Sequence, residues 1–208
     1  MSLRVAVLIS GAGSNLQALL DTVHGRHGIE IAGVASSTLT AGGLARAERA
    51  GVETAVFPIP DYPDRAARDR VLGDWLEERS VELVVLAGFM ELLDPELVRR
   101  FAGRMINVHP ALLPSFPGVR AIEQALDYGV KVAGVTVHFV DEGIDTGPII
   151  LQECFELPYS RDIGEIEQRA HAVEHRLLPR AVRLIAEGSV RIDDRNPRLV
   201  HIDERGDA

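Results

Sequence analysis

The stretch LRVAVLISGAGSNLQALL, residues 3–20, decides the fold class. Its first part, Arg4–Ile9, is a short β-branched apolar run of the kind that forms a buried parallel strand. A glycine turn follows, and apolar residues then recur with helical spacing at Leu16, Leu19 and Val23. A strand that leads through a tight turn into a helix is the repeating unit of a doubly wound parallel sheet.

The alternation of strands and helices continues as far as His109. The predicted strands are Ile29–Ala35, Thr54–Phe57, Val81–Ala87 and Met105–His109. The predicted helices are Leu44–Ala50, Arg65–Arg79 and Pro95–Phe101. In the helix over 65–79, charges surround an apolar side formed by Val71, Trp75 and Leu76. We therefore expect an α/β fold with a doubly wound, Rossmann-like, mostly parallel sheet.

The pattern changes after the fifth strand. Lys131–Val140 and Pro148–Leu157 are long, partly alternating segments, which predict antiparallel additions to the sheet. Ile163–Glu187 is predicted as one long C-terminal helix with a kink at Pro179.

The organisation along the chain is that of one domain and a tail. No internal repeat, low-complexity segment or linker marks a domain boundary. We expect residues 1–188 to form one domain, with an N-terminal half at 1–103 and a C-terminal half at 104–188. A charged tail with one short strand follows at 189–208.

Composition and charge exclude several classes of function. The chain has 208 residues, of which 46% are apolar and 25% charged, as in a folded protein. Its net charge of −9 argues against broad nucleic-acid binding, which needs clustered Lys and Arg. No run approaches the ~18 continuous apolar residues of a membrane span. The single cysteine, Cys154, excludes an intrachain disulfide and a zinc site of several thiolates, and we expect a reducing, cytoplasmic location.

The glycine turn Gly11–Asn15 is the first candidate site. Backbone N–H groups at a helix N-terminus attract anions, and ligands gather at the carboxyl ends of strands in this fold. The turn lacks both the GxGxxG pattern of dinucleotide binding and the GxxxxGK[ST] pattern of a P-loop, which argues against NAD and ATP. We predict a phosphate site here; the alternative is a tight turn in which Ser14 and Asn15 only cap the helix.

Asn107 and His109 form the second candidate site. Side chains alternate along a strand, so these two point to one face, and Pro110 ends the strand after them. An amide donor beside a titratable imidazole can stabilise an oxyanion and move a proton. The alternative is that both side chains only satisfy backbone groups of the loop.

The acidic turn Asp141–Gly147 contains the third candidate. Most carboxylates in such a turn are solvated and present for local reasons. Asp145 differs because it lies between Ile144 and a Thr-Gly-Pro sequence that re-enters an apolar strand. We expect this carboxylate to be partly buried and therefore to have a partner.

Other polar residues carry weaker signals. His138 is predicted to be a core or edge histidine, and Cys154 a buried strand residue and not a nucleophile. His171 and His175 have the four-residue spacing of a metal pair, but no HExxH pattern or ligand cluster accompanies them. No metal site is therefore predicted.

Four motifs occur in order along the chain. They are LISGAGSNLQALL at 8–20, VVLAGFMELL at 84–93, INVHPALLPSFPGVRAIEQAL at 106–126 and GVTVHFVDEGIDTGPIILQ at 134–152. Together they resemble the phosphoribosylglycinamide formyltransferases, and the resemblance extends from about Leu3 to Gly188. The combination is highly specific, although each motif alone is modest.

The resemblance implies an activity and its partners. It implies transfer of a formyl group from 10-formyltetrahydrofolate, used as a co-substrate, to the glycinamide amine of phosphoribosylglycinamide, a step of purine biosynthesis. The implied partners are these small molecules, with no metal, nucleic acid or membrane, and the implied assembly is a monomer or a homodimer. The half at 1–103 would bind phosphate, and the half at 104–188 would hold the folate and the catalytic residues.

Carried over position by position, the resemblance also implies the site residues. The catalytic residues are Asn107, His109 and Asp145, with Asp145 tuning His109 by favouring its charged form. The ribonucleotide-binding residues are Gly13, Ser14, Asn15 and Glu174. The folate-binding residues are Arg65, Met90, Glu91, Leu92, Leu93, Asn107, Asp141, Glu142, Gly143, Ile144 and Asp145. Among these, Arg65 matches an arginine that meets the carboxylate-bearing tail of the folate.

Two positions depart from the family pattern. Glu91 stands where many members have an arginine, so a side-chain contact made by that arginine is lost unless backbone groups supply it. His171 stands where a relative has glutamine, and a side-chain contact to phosphate there is not carried over.

Three other functions are the alternatives. Formyltetrahydrofolate hydrolases carry an extra N-terminal regulatory domain, and this chain begins directly at its first strand. Methionyl-tRNA formyltransferases have a further C-terminal tRNA-binding domain, and tRNA suits a net charge of −9 poorly. The third alternative is a non-catalytic nucleotide-binding module, against which the complete Asn–His–Asp trio argues.

Overall fold

The computed structural model describes residues 2–158, 160 and 162–203. Its strands are β1 (Leu3–Ile9), β2 (Ile29–Ser36), β3 (Thr54–Val56), β4 (Leu83–Leu86), β5 (Met105–His109), β6 (Val132–Phe139), β7 (Ile149–Glu156), β8 (Val190–Ile192) and β9 (Val200–Ile202). Its α-helices are α1 (Ser14–Thr22), α2 (Gly42–Arg49), α3 (Arg65–Glu78), α4 (Pro95–Arg100), α5 (Ala121–Tyr128) and α6 (Ile163–Ala186), and a short 3₁₀ helix lies at Ile59–Asp61. The chain divides between Asn107 and Val108 into two compact units. The predicted halves at 1–103 and 104–188 stay a prediction.

The first unit contains the parallel part of the fold. Its strands lie in the order β3-β2-β1-β4-β5, and every neighbouring pair is parallel. The central strand β4 is buried at each of its four residues, because helices cover both faces of such a sheet. The predicted doubly wound, mostly parallel α/β fold is confirmed.

Because β1 and β4 are neighbours, the loops that follow their carboxyl ends meet. The Ser10 N–H donates to the Gly88 carbonyl at 3.0 Å, and the Met90 N–H donates to the Ser10 hydroxyl at 2.9 Å. The Ser10 and Ser37 hydroxyls lie 2.7 Å apart. The fold therefore places the glycine turn beside the loop at Met90–Leu93, as expected for loops at one edge of a parallel sheet.

Helix α3 buries a face that differs from the predicted one. Trp75 and Leu76 are buried as expected, but Val71 is 44% exposed. The buried side instead includes Arg68 and Asp69, which are 0% and 1% exposed and form an ion pair with each other. Leu72, which is 1% exposed, takes the inner position predicted for Val71, and the two charged residues that share this face pair with each other.

The second unit contains the antiparallel part of the fold. Strands β6 and β7 pair antiparallel, which confirms the predicted antiparallel additions. Helix α6 packs on both strands and contacts α5, and it continues without a break through Pro179. Within the described ranges, no helix has the length and apolar character needed to cross a membrane.

Two predictions for this unit are corrected. Cys154, predicted to be buried, is exposed, because it lies on the outward side of β7, where exposure alternates along the strand. The tail after Gly188 contains two short strands, β8 and β9, which form an antiparallel pair, instead of one. Residues 204–208 of the predicted tail lie outside the described residues.

Gly13 has a structural requirement that is independent of any ligand. It precedes α1 with a φ of 74°, in the left-handed region that favours glycine. A Cβ atom at this position would lie 2.6 Å from the Gly43 Cα at the start of α2. The beginnings of α1 and α2 therefore approach each other backbone to backbone.

We expect Gly13→Ala to lower the free energy of unfolding by about 3 kcal/mol, from a strained φ and a backbone clash together. Gly11→Ala is the matched control in the same turn, since a Cβ there has nothing within 4 Å, and its effect should stay below about 1 kcal/mol. Urea denaturation of both variants measures the difference. Equal effects of the two substitutions would contradict this account of the turn.

Candidate active site

His109 and Asp145 form a close pair in the second unit. His109 is the last residue of β5, and Asp145 lies in the turn between β6 and β7. The His109 Nδ1 atom lies 3.3 Å from Asp145 Oδ2, and the two side chains are 6% and 14% exposed. The sequence therefore predicted correctly that the Asp145 carboxylate is partly buried and has a partner.

The Asp145 carboxylate has further contacts. The Gly118 N–H donates to Asp145 Oδ2 at 2.7 Å, and His138 Nε2 lies 3.6 Å from Asp145 Oδ1. Asp145 has a φ of 52°, a left-handed conformation that Asp adopts more readily than most residues. In this conformation, the Asp145 carboxylate contacts His109, Gly118 and His138, which lie in three different parts of the chain.

His138 is the residue of this site that sequence reasoning missed. It was predicted to be a core or edge histidine, and it is indeed buried on β6, with Nδ1 2.8 Å from the Phe139 carbonyl oxygen. Its contact with Asp145 had no signal in the sequence, because the two residues meet only when the turn after β6 folds back.

The His109 ring lies between two hydrogen-bond acceptors. Its Nε2 atom is 2.9 Å from the Phe116 carbonyl oxygen, and its Nδ1 atom faces the Asp145 carboxylate. A carbonyl oxygen and an ionised carboxylate only accept, so the ring satisfies both when both nitrogens carry a hydrogen. Both ring nitrogens of His109 therefore face an acceptor atom.

Several groups act on the pKa of Asp145. Burial raises this pKa, but the interaction with His138, the hydrogen bond from the Gly118 amide and the nearby His109 outweigh burial. The pKa of Asp145 is therefore lower than its ordinary value of 3.8. Asp145 is an ionised carboxylate at neutral pH, as a counter-ion for imidazolium must be.

Asn107 is the remaining member of the predicted trio. It is half-buried on β5, two residues before His109. Alternate residues of a strand point to one face, and an amide donor thus precedes the imidazole at the end of this strand.

The glycine turn has the features of an anion site within the first unit. Gly13 is the N-cap of α1 and makes no side-chain cap, and Ser14 and Asn15 are the first two residues of the helix. The backbone N–H groups of the first helical turn are the donors that attract anions. Arg46, which sequence reasoning missed, donates from Nε to the Ala12 carbonyl at 2.9 Å and adds a positive charge beside the turn.

The predicted folate-binding residues of the first unit lie on α3 and on the loop after β4. Arg65 is the first residue of α3 and is exposed. In the loop, Met90 and Leu92 are 72% and 56% exposed, and Glu91 and Leu93 are half-buried. Exposed apolar side chains in a loop at a strand's carboxyl end are suited to contact an apolar ligand surface.

The predicted folate-binding residues of the second unit lie in the turn that carries Asp145. Asp141 Oδ1 accepts hydrogen bonds from the Gly143 N–H at 3.0 Å and the Thr146 hydroxyl at 2.6 Å, so this carboxylate closes the turn. Glu142 and Ile144 are exposed.

Helix α6 carries Glu174, the predicted ribose contact, which is buried at 6% exposure. On the same helix the His171 and His175 rings stack with centroids 6.0 Å apart, and burial lowers the pKa of His175. Within residues 2–158, 160 and 162–203, no three His, Cys, Asp or Glu residues are grouped as metal ligands.

Comparison with known proteins places these residues in a family. Residues 3–182 match the formyl transferase family. The chain belongs to that family. Among solved structures, the chain resembles glycinamide ribonucleotide transformylase 1 from Symbiobacterium toebii, with 46% identity and a TM-score of 0.92 over 97% of this chain and 94% of the other.

The curated relatives of the chain differ in length. Phosphoribosylglycinamide formyltransferase of Haemophilus influenzae is 38% identical over 92% of this chain and 91% of its own length. The trifunctional purine biosynthetic protein adenosine-3 of Bos taurus is 45% identical over 97% of this chain. The chain spans only 20% of the length of that trifunctional relative.

The lowered pKa of Asp145 predicts how the stability of the protein depends on pH. A depressed pKa contributes stability above the unfolded value of 3.8, and this contribution is lost as the pH falls through the folded value. We expect Asp145→Asn to lower the free energy of unfolding by about 2 kcal/mol at pH 7. The difference from the parent should shrink below pH 4.

Urea denaturation from pH 7 to pH 3 measures this difference. Asn is the suitable replacement, because it tolerates the left-handed conformation found at this position. Asp127→Asn, the same change at an exposed position of the second unit, is the control and should have little effect at any pH. A difference between Asp145→Asn and the parent that does not vary with pH would show that the Asp145 charge is not what stabilises the turn.

Proposed function

We propose that this protein is a phosphoribosylglycinamide formyltransferase. It transfers the formyl group of 10-formyltetrahydrofolate to the glycinamide amine of phosphoribosylglycinamide, in the de novo synthesis of purines. Both ligands are small molecules, and the folate is a co-substrate. We propose a cytoplasmic location, and a monomer or homodimer as the working form.

The observation that carries this proposal is the His109–Asp145 pair. A buried imidazole lies at the end of a strand, with Nδ1 3.3 Å from an ionised carboxylate and Nε2 2.9 Å from a carbonyl oxygen, and we propose that it meets the reacting oxygen as an imidazolium. Acyl-transfer reactions build negative charge on an oxygen, and a preorganised positive charge stabilises it. Membership of the formyl transferase family and relatives named as transformylases support the same reaction.

The reaction needs no covalent enzyme intermediate. The glycinamide nitrogen attacks the formyl carbon and forms a new C–N bond, which leaves a tetrahedral carbon with a negatively charged oxygen. The Asn107 amide donates a hydrogen bond to this oxygen, and the His109 charge stabilises it. The bond from the formyl carbon to the folate nitrogen then breaks, and the proton lost by the amine reaches that nitrogen through water beside His109.

The remaining residues hold the two substrates. The N–H groups at Gly13, Ser14 and Asn15 bind the phosphate of the ribonucleotide, with the charge of Arg46 nearby, and Glu174 accepts hydrogen bonds from the ribose. In the first unit, exposed Met90 and Leu92 are the proposed contacts of the folate ring system, and Arg65 is the proposed partner of its anionic tail. In the second unit, the proposed folate contacts are in the turn at 141–145. Backbone groups of the loop take the place of the arginine side chain that Glu91 replaces.

A coupled assay tests the reaction and its trio together. It uses phosphoribosylglycinamide and a formyl-folate analogue whose absorbance changes on deformylation. We expect Asn107→Ala to lower kcat by about 10²–10³, because one oxyanion donor is lost. His109→Ala should lower kcat at least as much, and Asp145→Asn should add little to it in the double variant, because groups that act as one unit are not additive.

Two outcomes of this assay contradict the proposal. Deformylation that proceeds equally well without the amine substrate would identify a formyltetrahydrofolate hydrolase. Binding of both ligands with no turnover by the parent would identify a non-catalytic module. The control is Asp127→Asn, which should leave kcat unchanged.

Arg65→Ala should raise the KM of the folate several-fold and leave kcat nearly intact, because an exposed ion pair contributes to binding and not to the reacting atoms. The rise should be largest for folates with several carboxylates in the tail. Arg70→Ala removes an exposed arginine from the same helix and should leave the KM unchanged. A large loss of kcat at constant KM would refute this role of Arg65.

A further inference from the structure

Arg68 is a fully buried arginine on α3 for which the proposed reaction has no role. Its Nη2 atom donates a long hydrogen bond to the Leu92 carbonyl at 3.5 Å, and its guanidinium lies 5.7 Å from the centre of the Phe89 ring. It forms an ion pair with Asp69, the next residue of the helix. Among the described residues, its Nη1 atom has no hydrogen-bond acceptor.

Asp69 extends the same contact to the end of the loop. Its Oδ2 atom accepts a hydrogen bond of 2.5 Å from the Asp94 N–H, and its side chain is 1% exposed. The pair formed by Arg68 and Asp69 therefore contacts the segment 89–94 at the Phe89 ring, the Leu92 carbonyl and the Asp94 amide.

Stability of the fold does not by itself explain this pair. Removing two charges from water is costly, and well-packed apolar residues of similar volume often stabilise a protein as well or better. The Arg68 guanidinium is also incompletely hydrogen-bonded, which adds to that cost. The charged pair supplies directional contacts to the backbone of one loop, which an apolar pair would not supply.

That loop has few other means of fixing its position. Met90 and Leu92 are 72% and 56% exposed, so their side chains contribute little packing in the free protein. The backbone is attached at Met90 by the Ser10 hydroxyl, and at Leu92 and Asp94 by the α3 pair. A loop that presents exposed apolar side chains to a ligand binds it best when its backbone is already in the bound arrangement.

We propose that Arg68 and Asp69 are positioning residues for the folate-binding loop Met90–Leu93, and that they set the affinity for the formyl-folate. This inference rests on the proposed function and deepens it. Neither residue contacts the reacting atoms, so their effect belongs to the KM of the folate and not to kcat. The ribonucleotide KM should be unaffected.

The experiment uses a double variant that removes both charges. Arg68→Met alone would leave the Asp69 charge buried and unpaired, and could unfold the protein. Arg68→Met with Asp69→Asn removes this problem, because Asn still accepts from the Asp94 N–H, while Met no longer donates to the Leu92 carbonyl. We expect a melting temperature close to the parent's, a folate KM raised about fivefold by the lost contact, and kcat and ribonucleotide KM within about twofold.

A second variant tests the same contact in case the double variant does not fold. A control variant tests whether removing any arginine from α3 has the same effect. Arg68→Lys keeps the charge, but its single nitrogen cannot pair with Asp69 and reach the Leu92 carbonyl together, so the folate KM should again rise with kcat preserved. Arg70→Met replaces an exposed arginine two residues further along α3 and should change neither KM.

The outcomes separate this inference from the proposed function. An unchanged folate KM in either folded variant overturns the positioning role. A lower kcat and a lower melting temperature, together with raised KM values for both substrates, would show that the pair only supports the first unit. That result also overturns the positioning role. Failure of the parent to transfer formyl groups contradicts the proposed function instead, and is seen before any variant is made.

Discussion

The ionised Asp145 carboxylate is the constraint on which the candidate site depends. A charge that is 14% exposed must be compensated by groups already in place, since removing an unpaired carboxylate from water costs several kcal/mol. The Gly118 amide, His138 and His109 provide this compensation from three different segments. One carboxylate therefore contacts all three segments, and the His109 imidazole lies against it.

The fold makes this arrangement possible through where its strands end. Pro110 stops β5 directly after His109, and β6 ends shortly before the turn that Asp141 closes with its own side chain. The left-handed conformation of Asp145 is a local cost of about 1–2 kcal/mol, and it persists because the contacts of the carboxylate offset it. In the first unit, a polar side chain likewise joins segments that are distant in the sequence. The Ser10 hydroxyl accepts a hydrogen bond from the Met90 N–H and so attaches the loop after β4 to the end of β1.

Much of this could be predicted from the sequence, because the informative signals are local. The apolar run before the glycine turn and the strand at Met105–His109 follow from periodicity, and the partly buried Asp145 follows from its apolar flanks. The roles of the site residues came from resemblance, and they remain predictions.

What could not be predicted depends on contacts between distant residues. Nothing near Arg68 indicates that its partner is the adjacent Asp69 and that both face inward. The prediction for Val71 is wrong because the neighbouring Leu72 occupies the buried position. The contact of His138 with Asp145 depends on the path of a turn that periodicity does not describe. Cys154 was placed inside because apolar strands are usually buried, whereas this strand has an exposed side.

The most direct test of the account is a crystal structure of the protein with phosphoribosylglycinamide and a folate analogue that cannot transfer its one-carbon group. The account predicts that the amine nitrogen lies about 3–3.5 Å from the atom that replaces the formyl carbon. It also predicts that Asn107 and His109 lie beside the formyl oxygen, with the His109–Asp145 contact retained. A one-carbon group bound away from His109, or a complex in which His109 no longer contacts Asp145, would contradict the central claim.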